Sequence, residues 1–311
     1  MPSASIAMLR HHLITIARAA GLAAFAFIAM GVGPFDLLDN AMPKDAGGIK
    51  VASDVPYGAG PRRKLDVYVP VGLENTAPVV LFIYGGSWNR GERTEYEYVG
   101  HALAARGFVT VIADYRLVPE VTYPAFVEDG AAAVLWIERN IADFGGDARR
   151  LFLAGHSAGA YNAVMLALEP AFLRDQGATA TVRGVAGLSG PYSFYPFRVK
   201  AAVEAFGSSP HPESTQPINL VTPEAPPMWL ATGDADLIVR PSNSSLLAAR
   251  LRANRVPVTE RVYKDLGHLD TVFALSMPWR GRAPVLDEMV AFFTSLGAFN
   301  AASTEPPPLS P

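Results

Sequence analysis

The chain of 311 residues contains no cysteine. Disulfides, thiolate-bound zinc and a thiol nucleophile are therefore excluded, and cysteine usage is silent about the redox compartment. Any nucleophile must be an oxygen or an amine. An excess of positive charge is also lacking: 26 Lys and Arg face 29 Asp and Glu, a net charge of −3, with no basic block interleaved with aromatics. That balance argues against nucleic acid as a partner. No internal repeat is present. The uncharged stretch at residues 19–35 is 17 residues long, marginal against the ~20 needed to span a bilayer as a helix.

Half of the residues are apolar, enough to bury one large core in a globular α/β protein. Residues 1–40 differ from the rest. Arg10, His11, His12 and Arg18 precede the apolar stretch, the order of an export signal or an N-terminal membrane anchor. Export or anchoring, on the periplasmic side of a bacterial cell, is the expectation, with membrane association through this segment. An amphipathic helix packed on a cytoplasmic protein is the alternative. The Pro-rich tail, residues 299–311, is expected to be disordered.

From residue 49 the pattern becomes that of a sheet protein. Residues 49–55 and 64–70 alternate apolar and polar around a turn at Gly58, Ala59, Gly60 and Pro61, which predicts an antiparallel hairpin. Arg62, Arg63 and Lys64 are expected to be its solvated end. Short apolar runs follow at 78–84, 108–113, 151–154, 182–188, 228–231 and 258–263, suited to parallel strands covered on both faces. Helical stretches lie between or after them at 94–106, 124–141, 158–168, 241–254 and 283–296, with Pro124 and Pro241 suited to first helical positions. The expected fold is α/β: a mostly parallel, doubly wound sheet with antiparallel N-terminal strands and helices on both faces, spanning 49–298.

The strongest chemical signal is Gly155-His156-Ser157-Ala158-Gly159, set between a strand and a helix. In that turn the serine is forced into a strained backbone, the flanking glycines remove clashing side chains, and the hydroxyl stands above the sheet edge. A Gly-rich helix start capped by Ser157 is the bland alternative. A serine needs a base, and the base needs a carboxylate to orient it, in the chain order Ser, acid, His. Only His211 and His268 follow Ser157. His268 closely follows the strand at 258–263, whereas His211 has no strand to hold it, so His268 is the expected base. Asp234 and Asp236 both follow the strand at 228–231; Asp236 is preferred, with Asp234 a turn residue bonding nearby N–H groups. The oxyanion needs donors. The N–H of Ala158 is one, and the loop Tyr84-Gly85-Gly86-Ser87-Trp88 offers others.

Taken together, Tyr84-Gly85-Gly86-Ser87-Trp88, Asp114-Tyr115-Arg116, the Ser157 pentapeptide, Gly233-Asp234-Ala235-Asp236 and Gly267-His268 resemble the carboxylesterases of the hormone-sensitive-lipase and feruloyl-esterase-like branch of the α/β hydrolases, a branch that also contains kynurenine formamidase-like amidases. The resemblance runs from about residue 51 to 296. It implies Ser157, Asp236 and His268 as the triad and Gly86, Ser87 and Ala158 as oxyanion donors. Asp114, Arg116 and Asp129 are read as a structural buried ion pair. One departure stands out: the family usually has His where this chain has Tyr84, whose hydroxyl is expected to brace the loop instead.

Residues 188–227 carry whatever lid exists, and it is short. Within it Tyr192, Phe194, Tyr195 and Phe197, with Trp88 from the earlier loop, either line an acyl pocket or pack over the sheet end. The function expected is a carboxylesterase acting on small or short-chain esters through Ser157, with no cofactor or metal required. An amidase or peptidase using the same triad, and a non-catalytic binding scaffold on the same fold, are the alternatives.

Overall fold

Alternation of polar and apolar side chains gives way, from residue 77, to strands that are mostly buried, but the run at 258–263 is not covered on both faces as expected: it is the edge of the sheet and stays partly exposed. The computed structural model describes residues 42–299; the expectations for residues 1–40, and nearly all of the tail, fall outside the described residues. Strands β1 (Gly48–Pro56) and β2 (Lys64–Pro70) form the expected antiparallel hairpin. Strands β3 (Ala77–Ile83) and β4 (Val109–Ala113) are buried along their whole length, so both sheet faces are covered. Strands β5 (Gly146–His156), β6 (Val182–Leu188), β7 (Met228–Gly233) and β8 (Val258–Tyr263) complete an eight-stranded sheet of order β1-β2-β4-β3-β5-β6-β7-β8. Only β2 runs against its neighbours.

Among the described residues the α-helices are α1 (Glu97–Ala104), α2 (Ala125–Asn140), α3 (Ala158–Leu168), α4 (Ala171–Asp175), α5 (Lys200–Phe206), α6 (Ser242–Ala253), α7 (Asp270–Phe273) and α8 (Val285–Ser295). Among the described residues, no helix is long and apolar enough to cross a membrane.

The structure departs from the sequence pattern in several places. The apolar run at 151–154 is only the inner part of an eleven-residue strand, because Asp147, Arg149 and Arg150 occupy its first half. Asp147 neutralises both arginines, and Arg150 also donates to Thr76 O, which lets charged residues continue the strand. The stretch at 94–106 begins as a 3-10 turn (Arg93–Tyr96) before α1. Pro124 and Pro241 stand one position before their helices, at the caps.

The chain leaves β3 for β4 on one side and returns to β5 on the other. Crevices form at such reversals, outside the carboxyl ends of the strands. The loops after β3 and β5 therefore meet at the place where a site is expected, and they carry Tyr84–Trp88 and Ser157.

The hairpin is fastened to this region by charge. Arg93 Nε donates to Asp66 Oδ1 at 2.8 Å, Nη1 pairs with Asp114 Oδ2, and Nη2 reaches Asp54 at 2.5 Å. Burial disfavours the Arg93 charge, yet Asp66 and Asp114 raise its pKa above the ordinary value. Of the expected ionic group, Arg116 pairs in two-pronged fashion with Asp129 at 2.8 and 2.9 Å, whereas Asp114 is held by Arg93. Arg62 and Arg63 are not a solvated end. Arg62 Nε donates to Tyr115 O at 2.9 Å, and Arg63 lies 3.0 Å from the Asp129 carboxylate. The reason is that Asp114 and Asp129 are buried and require cations. Only Lys64 keeps an exposed pair, with Asp54.

Arg93→Leu takes from the buried Asp66 and Asp114 the guanidinium they share, leaving Lys50 at 3.1 Å for the first and Arg62 at 3.9 Å for the second. We expect a loss of about 3–5 kcal/mol, read as a lower urea midpoint at unchanged slope.

Candidate active site

The turn from β5 into α3 is made by Ser157, with φ 54° and ψ −121°. No helix or strand accepts this conformation, and it persists only because the surroundings fix it. A Cβ at Gly155 would lie 2.4 Å from Gly159 O, and one at Gly159 only 2.0 Å from Ile83 O. These two positions must be glycine for β3, β5 and α3 to converge. The serine is buried, at 8% exposed.

His268 reaches that hydroxyl from the loop after β8. Its Nε2 lies 2.8 Å from Ser157 Oγ, and its Nδ1 lies 2.8 Å from Asp236 Oδ2. With the proton on Nδ1, the imidazole donates to Asp236 and accepts from Ser157. Asp236 is buried, and its other oxygen accepts from the N–H groups of Ile238 at 3.0 Å and Val239 at 2.9 Å. Burial pushes its carboxyl pKa up, but the hydrogen bond and charge of His268, with these two N–H groups, outweigh it and leave the pKa below the ordinary value. Asp234 sits in the turn, where its carboxylate accepts from Asp265 N at 2.7 Å. That bond joins the loop of Asp236 to the loop of His268. His211 makes no contact with this group: its carbonyl caps a local turn with Ser214.

Beside the elbow, Gly86 has φ 134°, and Ser87 and Trp88 have φ 54° and 59°. Three successive left-handed residues turn the backbone so that the N–H groups of Gly86 and Ser87 have no protein acceptor among the described residues. The N–H of Ala158, first in α3, precedes the helical ladder and is equally unclaimed by it. The loop that carries Gly86 and Ser87 follows β3, and the elbow follows β5, the strand paired beside it.

Tyr84, where the family usually has His, is buried and stacked between Tyr96 and Tyr115 at 5.4 and 4.9 Å. Its hydroxyl donates to Asp114 Oδ1 and accepts from Arg62 Nη2, each at 2.8 Å. Burial and the Asp114 charge hold its pKa well above ordinary, so it remains a neutral donor. The residue thus ties the loop to the ionic network below it. Tyr84→Phe keeps the stacking but strips a partner from both Asp114 and Arg62. The expected cost is about 1–3 kcal/mol in denaturant unfolding.

The aromatic residues expected near an acyl pocket divide. Trp88 is buried against Phe206 at 4.7 Å and Tyr161 at 5.4 Å, and its Nε1 donates to Asn162 Oδ1. Tyr192 is fully buried, whereas Phe194 is half-buried and stacks on Trp88 at 6.0 Å. Of the three, Phe194 keeps an accessible ring. Between β6 and β7 the chain is short, with α5 and two 3-10 turns as its regular structure. No group of three or more metal-ligating side chains exists among the described residues.

Sequence reading left two residues without a role here: Arg93, the cation for Asp114, and His156, which lies between the loops of the site. The first carries no local motif; the second stood inside the pentapeptide itself.

A fold of this sheet order with a serine elbow defines an α/β hydrolase. The BD-FAE family model matches residues 65–251, and the chain belongs to that family. It is 28% identical over 254 residues to a probable isoprenylcysteine alpha-carbonyl methylesterase of Arabidopsis thaliana, covering 75% of this chain and 60% of the relative. With esterase LipQ of Mycobacterium tuberculosis it shares 30% identity over 254 residues, 74% of this chain and 59% of the relative. The chain thus spans about three fifths of the length of these two relatives. An inhibited esterase B from Lactobacillus rhamnosis superposes with a TM-score of 0.77 at 21% identity, over 90% of this chain and 97% of that one.

Proposed function

We propose that the protein is a serine carboxylic ester hydrolase acting on small or short-chain esters through an acyl-enzyme on Ser157. The observation that carries this reading is the unbroken relay from Asp236 through His268 to Ser157, both links at 2.8 Å. In this reading His268 Nε2 takes the hydroxyl proton as Ser157 Oγ bonds to the ester carbonyl carbon. The carbonyl oxygen becomes an oxyanion and accepts from the N–H groups of Gly86, Ser87 and Ala158. Asp236 steadies the imidazolium. The proton then passes to the departing alkoxide, the C–O bond breaks, and the alcohol leaves. Water, deprotonated by His268, attacks the acyl-enzyme, and the acid is released as the proton returns to Ser157.

The esterase names of its relatives support this class of substrate. The compact aromatic group around Trp88, already filled by its own rings, supports a short acyl side. The test is labelling by a fluorophosphonate probe, followed by an acyl-length series that includes methyl esters. Labelling of wild type but not of Ser157→Ala is expected; equal labelling of both overturns the reading. Export or membrane anchoring through residues 1–40 remains part of the proposal, supported by the order of Arg10 and Arg18 before the apolar stretch. Cell fractionation tests it, and recovery of the whole pool in the cytosol refutes it.

A further inference from the structure

His156 takes no part in the relay, yet it sits beside every component. It is the last residue of β5 and is buried, and its ring lies 4.9 Å from that of His268. Its Nε2–H donates to the main-chain carbonyl of His268 at 3.0 Å. The Thr271 hydroxyl donates to the same carbonyl at 3.2 Å, from α7 just beyond His268. Because Nε2 carries the proton, Nδ1 is the bare nitrogen. It has no hydrogen-bond partner and faces Gly85, where a Cβ would come within 2.9 Å of it. One imidazole therefore touches the base's loop with one edge and the oxyanion loop with the other.

The topology makes such a link necessary. Ser157 follows β5 and His268 follows β8, and β6 and β7 lie between these strands. No ladder hydrogen bond joins the strand of the nucleophile to that of the base. The Asp236 contact orients the imidazole ring, and Asp234 and Asp270 hold the N–H groups of Asp265 and Gly267, but none of these bonds ties the main chain of residue 268 to β5, and proton transfer tolerates little displacement. We propose that His156 is a positioning residue that fixes the main chain of His268 over Ser157 and, through its opposite edge, sets the approach of the oxyanion loop at Gly85. This role rests on the reading of Ser157, His268 and Asp236 as a catalytic relay.

The electrostatics agree with the geometry. Burial, and then the neighbouring His268 charge, push the His156 pKa down to about 3, against the opposing pull of the carbonyl bond and Asp236. The ring stays neutral while His268 gains and loses its proton in each cycle. A second imidazolium 4.9 Å away would repel the first. A neutral N–H donor braces the base without competing for its charge.

Three variants separate this role from mere packing. His156→Leu fills the space without a donor, His156→Gln carries an amide N–H toward the position of Nε2, and His156→Asn carries the same group too short to reach. The readouts are the rate constant for phosphonylation of Ser157 by a fluorophosphonate, and kcat and KM on a short-chain nitrophenyl ester. For His156→Leu and His156→Asn we expect phosphonylation and kcat to fall about 10- to 100-fold, with KM within about 2-fold of wild type. His156→Gln is expected to recover to within about 5-fold of wild type. If His156→Leu does not fold, the comparison of His156→Gln with His156→Asn carries the test. Wild-type rates in a folded Leu or Asn variant overturn the proposal. So does a Gln variant with native melting that is as slow as Asn. Should wild type label but turn over no ester, the esterase reading fails, and the phosphonylation rates still decide the role of His156.

Discussion

Ser157→Ala is expected to lower kcat about a million-fold while leaving the fold and the binding of ester intact. The size of the effect follows from what is removed. Alanine has no oxygen to attack the carbonyl, and the nearest alternative nucleophile is water, which must then be activated by His268 from an unprepared position. The N–H donors of Gly86, Ser87 and Ala158 survive the substitution, so some stabilisation of the oxyanion remains and a residual rate above the uncatalysed one is expected. Structure should change little. The elbow is set by β3, β5 and α3 converging on Gly155 and Gly159, and alanine places the same Cβ in the same strained φ. Steady-state kinetics on a short-chain ester, with a thermal melt as control, measures both halves of the claim. A kcat within tenfold of wild type in a folded Ser157→Ala enzyme would transfer the chemistry to another residue.

The second large effect is that of Asp236→Asn, expected near 10,000-fold in kcat. The carboxylate and the amide have almost the same shape, and an asparagine oxygen can still accept from the N–H groups of Ile238 and Val239, so the loop should keep its course. What changes is the sign of the contact with His268. The Asp236 oxygen accepts the Nδ1 proton at 2.8 Å; an amide nitrogen in that place would donate instead. Nδ1 must then be bare and Nε2 must carry the proton, which turns a donor toward Ser157 Oγ where a base is required. The imidazolium of the transition state also loses its counter-charge. Asp234→Asn is the matched control. Its oxygen still accepts from Asp265 N, and activity should stay within about 3-fold of wild type, a loss of less than ~1 kcal/mol. The pair of variants distinguishes the two carboxylates that sequence pattern alone leaves side by side.

The parts of the molecule that could be read from the sequence are those governed by local rules. A run such as residues 78–84 has no polar face, so it must be covered on both sides, and β3 is. The pentapeptide around Ser157 specifies its own turn because two glycines permit it. Side-chain partnerships across the chain could not be read this way. Arg93 belongs to a 3-10 turn without any motif, yet it neutralises Asp66 from β2 and Asp114 from the end of β4. Which cation serves which buried carboxylate depends on how the hairpin lies against the loop after β4, and charge counting does not contain that geometry. Arg62 and Arg63 looked like a solvated turn for the same reason. The eleven residues of β5 were shortened in the sequence pattern because Asp147 satisfies two arginines within the strand, a neutralisation that hydropathy does not register.

The last of the described helices, α8, rests on β5, the strand that ends at the Ser157 turn. Phe293 of α8 packs 4.8 Å from Phe152 of β5 and 5.9 Å from Phe108, and Arg150 donates to Ala298 O at 3.0 Å. During synthesis, therefore, Ser157 emerges 111 residues before its base, and its strand waits longer still for its final cover. A nascent chain can hold Ser157, Asp236 and His268 and still lack a closed core, so on the proposed reading hydrolysis is expected only from the completed fold. A chain stopped after residue 284 should show neither esterase activity nor a cooperative unfolding transition; either one surviving would mean that α8 is dispensable.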